Sequence, residues 1–238
     1  MKFGVISDVH ANLPALQAVL NEFMARQVDR VICLGDIIGI GPHPDACVNT
    51  IMALKDPIVL QGNHEQYFAN GIDPAPFAAM TREEREHHRW QWTHMGGKAK
   101  LRLLNLPTKL RFDCEGVTIS ASHYGMDARG DILPTATAYT EANIQDMFGM
   151  DSHVYLFGHD HHHFVREFHG QTYICVGSAG CPEDELGVAV AGILEVANGD
   201  FAYDSIAVPY DIKQTVKDAK RQELPDCDFI CNVYYHTV

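Results

Sequence analysis

The residues able to do chemistry fall into five short polar fragments: Asp8-Val9-His10, Gly35-Asp36, Gly62-Asn63-His64-Glu65, Ser122-His123 and Gly158-His159-Asp160-His161. Together they offer carboxylate oxygen, amide oxygen and imidazole nitrogen, three kinds of metal-binding atom. Such a mixture suits borderline transition metals such as Mn, Fe, Co or Zn, whereas Ca and Mg prefer all-oxygen sites. Asp8, His10, Asp36, Asn63, His123, His159 and His161 make seven candidate ligands, an oversupply for one ion. Two ions sharing a carboxylate would use them all. Two-metal sites, with ions roughly 3.5–4 Å apart, hold the attacking and leaving oxygens of an in-line displacement. Taken singly, each fragment has a plainer reading: Asp8 and Asp36 as helix caps, His123 as a satisfied core histidine. Five ligand-type fragments, all placed alike, are what point to a metal site.

Each fragment follows an apolar, mostly β-branched run, over residues 2–7, 31–34, 58–60, 117–121 and 154–157. The carboxyl ends of strands in an open α/β sheet are where ligands collect, so distant residues can converge there. Strands are expected over 2–7, 30–34 and 57–60, with helices over 12–23 and 44–54 between them. Asn12 is placed to cap the first helix and Pro14 to sit in its first turn, while Leu13, Leu16, Val19, Leu20 and Phe23 recur at helical spacing. That alternation predicts parallel pairing with right-handed crossovers. Residues 71–76 read as a loop, 81–95 as a polar helix and 99–104 as a short one, so 71–107 is expected to be a helical insertion over the sheet face of a single domain, 1–238. Residues 83–89 read as a solvated face. Tyr67, Phe68, Phe77, Trp90 and Trp92 are able to stack a base, with packing expected of the two Trp residues.

Beyond residue 109 the periodicity shifts to two. Strands are expected over 110–114, 117–120, 154–157, 164–168, 172–176, 188–195 and 201–208, with a helix over 140–148 and hairpin turns at Gly116, Gly170 and Asn198-Gly199. Residues 209–225 read as a last helix and 226–238 as a tail without assigned structure. An α/β first half and a mostly β second half are both satisfied by two packed sheets with outer helices.

A net charge of -13 over 238 residues argues against nonspecific binding to nucleic acid or to an anionic membrane. No stretch is long and apolar enough for a membrane span or a signal peptide. The seven cysteines are odd in number and irregular in spacing, which predicts free thiols in a reducing cytoplasm. Cys227 and Cys231, four apart, have packing as their expected role.

The fragments, in this order, resemble the signature of the calcineurin-like metallophosphoesterase superfamily: D-x-H, G-D, G-N-H-E/D, a lone His, and G-H-x-H. The likeness spans nearly the whole chain and is closer to small YfcE-like and diadenosine-tetraphosphatase-related phosphoesterases. It implies a four-layer αββα sandwich of two mixed sheets flanked by helices. It implies that Asp8, His10 and His161 bind one metal, that Asn63, His123 and His159 bind the second, and that Asp36 bridges them. His64 would face the substrate as the group that stabilises phosphoryl charge or protonates the leaving oxygen, and Glu65 would brace an imidazole or the Asn63 loop. The implied cofactors are two divalent transition metal ions, Mn first, with Fe, Zn, Co or Ni as alternatives. The implied reaction is hydrolysis of a small phosphate ester, a phosphodiester before a monoester, by attack of a shared hydroxide. The arginines that follow G-D and G-N-H-E in protein phosphatases are replaced here by Ile37-Ile38 and Gln66-Tyr67, which disfavours phosphoprotein and symmetrical dinucleotide substrates. Protein or dinucleoside-polyphosphate phosphatase activity remains the alternative, and a non-catalytic scaffold the more distant one. Asp160 stands where relatives often carry Thr, its side chain free to face away from the metals. The insertion is the expected substrate selector. Oligomeric state is not readable from the chain.

Overall fold

The computed structural model describes residues 1–69, 80–181 and 185–236. The expected loop at 71–76, and Phe77, lie outside the described residues. Ten strands form two five-stranded sheets among the described residues. The first sheet has the order β10-β9-β1-β2-β3, built from β1 (Lys2–Ile6), β2 (Arg30–Cys33), β3 (Ile58–Val59), β9 (Val188–Ala197) and β10 (Asp200–Pro209). Here β1, β2 and β3 run parallel, while β9 and β10 add on antiparallel. The second has the order β4-β5-β6-β8-β7, from β4 (Lys109–Cys114), β5 (Val117–Ser122), β6 (Val154–Phe157), β7 (Phe164–Phe168) and β8 (Gln171–Cys175). Its inner strands β5, β6 and β8 are parallel and its edges antiparallel.

Strand periodicity explains how runs that look uniformly apolar build layers. Phe3 and Val5 of β1, Val154 and Leu156 of β6, and Ile174 of β8 turn into one core between the sheets. Their neighbours turn outward. Ile6 joins Leu16, Val19 and Phe23 of α1 (Leu13–Ala25) and Val48 and Ile51 of α2 (Pro44–Met52). Tyr155 and Phe157 meet Ile144 and Phe148 of α6 (Glu141–Phe148) on the opposite face. The result is the αββα sandwich. Gly4 is small because α1 lies against it: a Cβ there would come within 2.5 Å of the Phe23 ring.

Local signals are met where the sequence carried them. The Asn12 side chain accepts from Ala15 N, capping α1. Thr81 and Glu84 form a capping box on α4 (Arg82–Thr93), followed by α5 (Gly97–Leu103). The three expected hairpins join antiparallel neighbours. Two short helices were not anticipated. One is α3 (Asn63–Ala69), which starts on the third fragment itself. The other is α8 (Cys227–Val233), in the stretch expected to be a tail, which packs through Ile230 and Cys231 against Val216 and Ala219 of α7 (Ile212–Arg221). All seven cysteines carry free thiols, with Cys227 Sγ 3.7 Å from Cys231 Sγ. Among the described residues no helix is long and apolar enough to cross a membrane.

Candidate metal centre

The loops leaving β1 and β2 continue side by side beyond the sheet: Asp8 N donates to Gly35 O, His10 N to Asp36 O and Ala11 N to Ile37 O. To turn there, Asp8, His10 and Asp36 take left-handed backbone conformations, with φ of 53°, 48° and 50°. His159 and His161, in the loop after β6, do the same at 70° and 67°. Such a conformation costs a non-glycine residue roughly 1–2 kcal/mol. Finding it at five of seven candidate ligands marks a place where side-chain position outweighs backbone comfort. Gly62 lets the third loop close in, since a Cβ there would fall 2.2 Å from Asp36 Oδ1. Gly158 does the same for the second sheet, its Cβ position lying 1.9 Å from Ser7 Oγ.

The side chains converge as expected. Asp8, His10, Asp36 and His123 are buried, and Asn63, His64, His159 and His161 are partly exposed around them. Three groups of ligand atoms lie within 4.8 Å of one another: Asp8, His10 and His161; His10, Asp36 and His64; and Asp36, His123 and His159. Asn63 Oδ1 joins the last, 3.1 Å from His123 Nε2 and 3.0 Å from His159 Nδ1.

The polar contacts fit a bound cation. His123 Nδ1 donates to Leu34 O, which turns Nε2 toward two oxygens, Asn63 Oδ1 and Asp36 Oδ2, the latter at 3.2 Å. Burial alone would lower this imidazole, but Asp36 and Asp8 raise it to about 9. The Nε2 atoms of His10 and His161 face each other at 3.0 Å. Asp8 Oδ1, buried without a hydrogen-bond partner, lies 3.4 Å from His161 Nε2. Burial would raise the Asp8 carboxyl, yet His123, His10 and His161 hold it well below the usual carboxylate range. A buried carboxylate oxygen left without a partner among imidazoles is what a positive ion there relieves.

Glu65 acts on backbone, not on an imidazole. Its Oε1 accepts from Ile37 N and Ile38 N, and its Oε2 from Asp36 N and Gly62 N, at 2.8–3.2 Å. It thereby ties the Asp36 loop to the start of α3. Burial, with the Asp36 charge behind it, pushes this carboxyl up to about 7, and the backbone donors oppose that shift. His64 N donates to Asp36 Oδ1 at 2.9 Å, so Asp36 also caps α3 from a distance. The His64 ring stands beside His10, Tyr67 and His88, with Nε2 3.9 Å from Asp36 Oδ2. Asp160 faces away from the ligand groups, accepting from the Tyr139 hydroxyl at 2.6 Å.

Sequence reasoning missed the residues of α4 that face this loop. Expected as part of a solvated face, His87 and His88 are 6% and 5% exposed, and Gln91 is fully buried. His87 Nε2 bonds Gly39 O, and Gln91 Nε2 donates to Gly41 O, holding the chain just beyond Asp36. Burial pushes the His88 imidazole down to about 4. The signal was the spacing of four between His87 and Gln91, which puts both on one helix face. Trp92 stacks on Phe68 at 4.8 Å and Trp90 on His94 at 3.9 Å, as the packing reading of both expected.

Tyr67 was expected to stack or pack, but its hydroxyl has a more specific use. It accepts from Asn63 Nδ2 at 3.1 Å, one helical turn away, leaving Asn63 Oδ1 toward His123 and His159. Tyr67→Phe frees that amide to flip. Metal affinity is expected to fall about tenfold or more, as for other residues that orient a ligand. Titration of the metal-stripped protein with Mn checks this, and denaturant unfolding of the stripped protein should change by no more than about 1 kcal/mol.

Comparison with known proteins finds the same fold and family. A curated but uncharacterized protein of Methanocaldococcus jannaschii is 28% identical over 247 aligned positions, covering 94% of this chain and 93% of its own. The crystal structure of a metallophosphoesterase from Sphaerobacter thermophilus is 25% identical with a TM-score of 0.76, covering 100% of this chain and 99% of that one. A hypothetical protein of Pyrococcus horikoshii, at 21% identity and a TM-score of 0.81, covers 99% and 98% and shares the fold. The family model for the calcineurin-like phosphoesterase superfamily domain matches residues 1–199, a span that contains all five fragments and both sheets up to the start of the last strand. The chain therefore belongs to the calcineurin-like phosphoesterase superfamily.

Proposed function

We propose that the protein is a dinuclear metal-dependent phosphoesterase that hydrolyses a small phosphodiester. In this reading Asp8, His10 and His161 hold one ion, Asn63, His123 and His159 hold the other, and Asp36 serves both. The observation that carries it is the crowding of ligand atoms around Asp8 and Asp36, with Asp8 Oδ1 buried among imidazoles and without a hydrogen-bond partner. Two bound dications would neutralise phosphoryl oxygens and supply a nucleophile at neutral pH.

The chain's own residues do the rest. Glu65 and the backbone bonds between the first two loops fix Asp8 and Asp36 before substrate arrives, which is preorganisation rather than induced order. Asp8, Asp36 and His123 are held away from water, so the charge of ions bound among them would be little screened toward a phosphate. His64, 17% exposed at the edge of the cluster, is placed to meet the leaving oxygen; burial holds its imidazole well below the usual value, so it acts by donating a hydrogen bond from Nε2 to the charge that develops there. The chain needs no Ser or Cys nucleophile under this scheme.

Stripping the protein with a chelator is expected to abolish hydrolysis of bis(4-nitrophenyl) phosphate. Adding Mn should restore it, with about two ions bound per chain. Metal-loaded protein that is inert on chromogenic mono- and diesters and on nucleotides would overturn the proposal.

A further inference from the structure

We propose that the recess between α4 and α8, beside His64, is the pocket for the leaving alcohol, and that it takes a compact group without negative charge, neutral or ammonium-bearing. This rests on the phosphoesterase reading above. The recess has a volume of about 100 Å³, room for a group near the size of one six-membered ring. His64 forms part of its wall, so whatever fills it lies next to the group that meets the leaving oxygen. His88, Phe229 and Tyr234 add aromatic surface. His88 is 5% exposed, and its Nδ1 has no hydrogen-bond partner; nor does Nδ1 of His64. These are buried polar atoms that the fold itself leaves unsatisfied.

The charge around the recess is of one sign. Glu84 and Asp226 line it, and among the described residues no Lys or Arg does. Asp226 is exposed, and its side chain makes no capping bond to α8 although it precedes that helix. A leaving group bearing a second phosphate would face two carboxylates with no cation to offset them, and like-charge juxtaposition is strongly rejecting. A neutral ring or an ammonium group would meet aromatic faces and acidic side chains instead. Phe229, a large ring left 54% exposed, has no packing role that explains its position. The wall carrying it also lies outside the shared family region, since α8 begins at Cys227 and the family match ends at residue 199. The pocket is therefore built in part by residues beyond those that the family model matches.

The test uses metal-loaded full-length protein and three methyl phosphodiesters, whose leaving phenols carry a hydroxymethyl, a trimethylammoniomethyl or a phosphonomethyl group. The first two should be turned over with kcat/KM about tenfold or more above the third. Phe229→Ala should lower kcat/KM for the first two only, and Asp226→Asn should raise it for the phosphonate ester. Equal rates for the three esters, or variants that change all of them by one factor, would overturn the pocket and leave the phosphoesterase reading standing. If none is turned over, and the protein is also inert on the chromogenic mono- and diesters and the nucleotides named above, that reading fails. The pocket is then judged by NMR titration of the stripped protein with the free phenols. Binding of the uncharged phenol that Phe229→Ala weakens supports it, and no binding overturns it.

Discussion

Asp36→Asn is expected to lower kcat/KM on the phosphodiester by at least about 10³, on the order of 4 kcal/mol of transition-state stabilisation, while leaving the metal-free fold intact. The carboxylate is 2% exposed and stands among three imidazoles, with Oδ2 3.2 Å from His123 Nε2, 3.9 Å from His64 Nε2 and 4.0 Å from His10 Nε2. An amide fits the same space. Its oxygen can keep the bond from His64 N; with the Asp36 charge that helps raise His123 gone, that imidazole can turn neutral, Nδ1 still donating to Leu34 O and Nε2 accepting from the new NH2. The stripped variant is therefore expected to unfold at no lower denaturant concentration than stripped wild type. It should bind Mn weakly, because the shared negative charge is gone. His64→Ala separates the two roles. It should lower kcat by about 10²–10³ with metal content unchanged, as for loss of a hydrogen-bond donor to developing charge. Metal analysis alongside kinetics reads both variants. An Asp36→Asn protein with two tightly bound ions and a rate within tenfold of wild type would sink the shared-carboxylate assignment.

The contrast between these variants bears on what a sequence can carry. The ligand fragments were legible because each ends an apolar run, and the apolar runs were legible as strands. Their convergence follows from topology: β1, β2 and β3 are parallel neighbours in one sheet, as are β5 and β6 in the other. Their carboxyl ends open on one edge. What stayed hidden was held by tertiary contacts. Helix α3 is 7 residues long, too short for a periodic pattern, and its N-terminal N–H groups are met by Asp36 and Glu65. Its one local cap is Glu65 reaching back to Gly62 N, without the Ser or Thr that completes a capping box. Helix α8 lacks a side-chain cap and owes its place to Ile230 and Cys231 packed on α7. On α4, the charged run from Glu83 to Arg89 conceals two buried imidazoles, because burial there is decided by the Gly39 loop 48 residues earlier. The left-handed Asp8, His10 and Asp36 carry a backbone cost too, since only glycine takes such φ freely, although Asp and His tolerate it better than most side chains. There the chemistry of the side chain has overridden the conformational cost, which is why reading ligand types succeeded where reading backbone propensity would have failed.

Glu65→Gln, a change of one heavy atom, is expected to destabilise the stripped protein by roughly 2–3 kcal/mol, and Glu65→Ala by roughly 4 kcal/mol or more. The carboxylate is 1% exposed and accepts four backbone N–H bonds, two on each oxygen. Glutamine can satisfy one pair. Its NH2 then confronts the other pair, donor against donor. If the amide oxygen stays with Ile37 N and Ile38 N, the bonds from Asp36 N and Gly62 N are lost, and the Asp36 loop detaches from the start of α3. Alanine abandons all four donors. The measurement belongs at pH 8, above the value of about 7 to which burial pushes this carboxyl, so that the ionised form is what each variant replaces. Denaturant midpoints at unchanged slope give the free energies. Saturating Mn should recover part of the loss, because ions that bind only the folded state stabilise it by mass action, about 2.7 kcal/mol at a hundred times Kd. Recovery in Glu65→Gln should need more Mn than wild type, since the loop it loosens carries Asp36. A glutamine variant within about 0.5 kcal/mol of wild type at pH 8 would show that the two loops hold their places without this carboxylate.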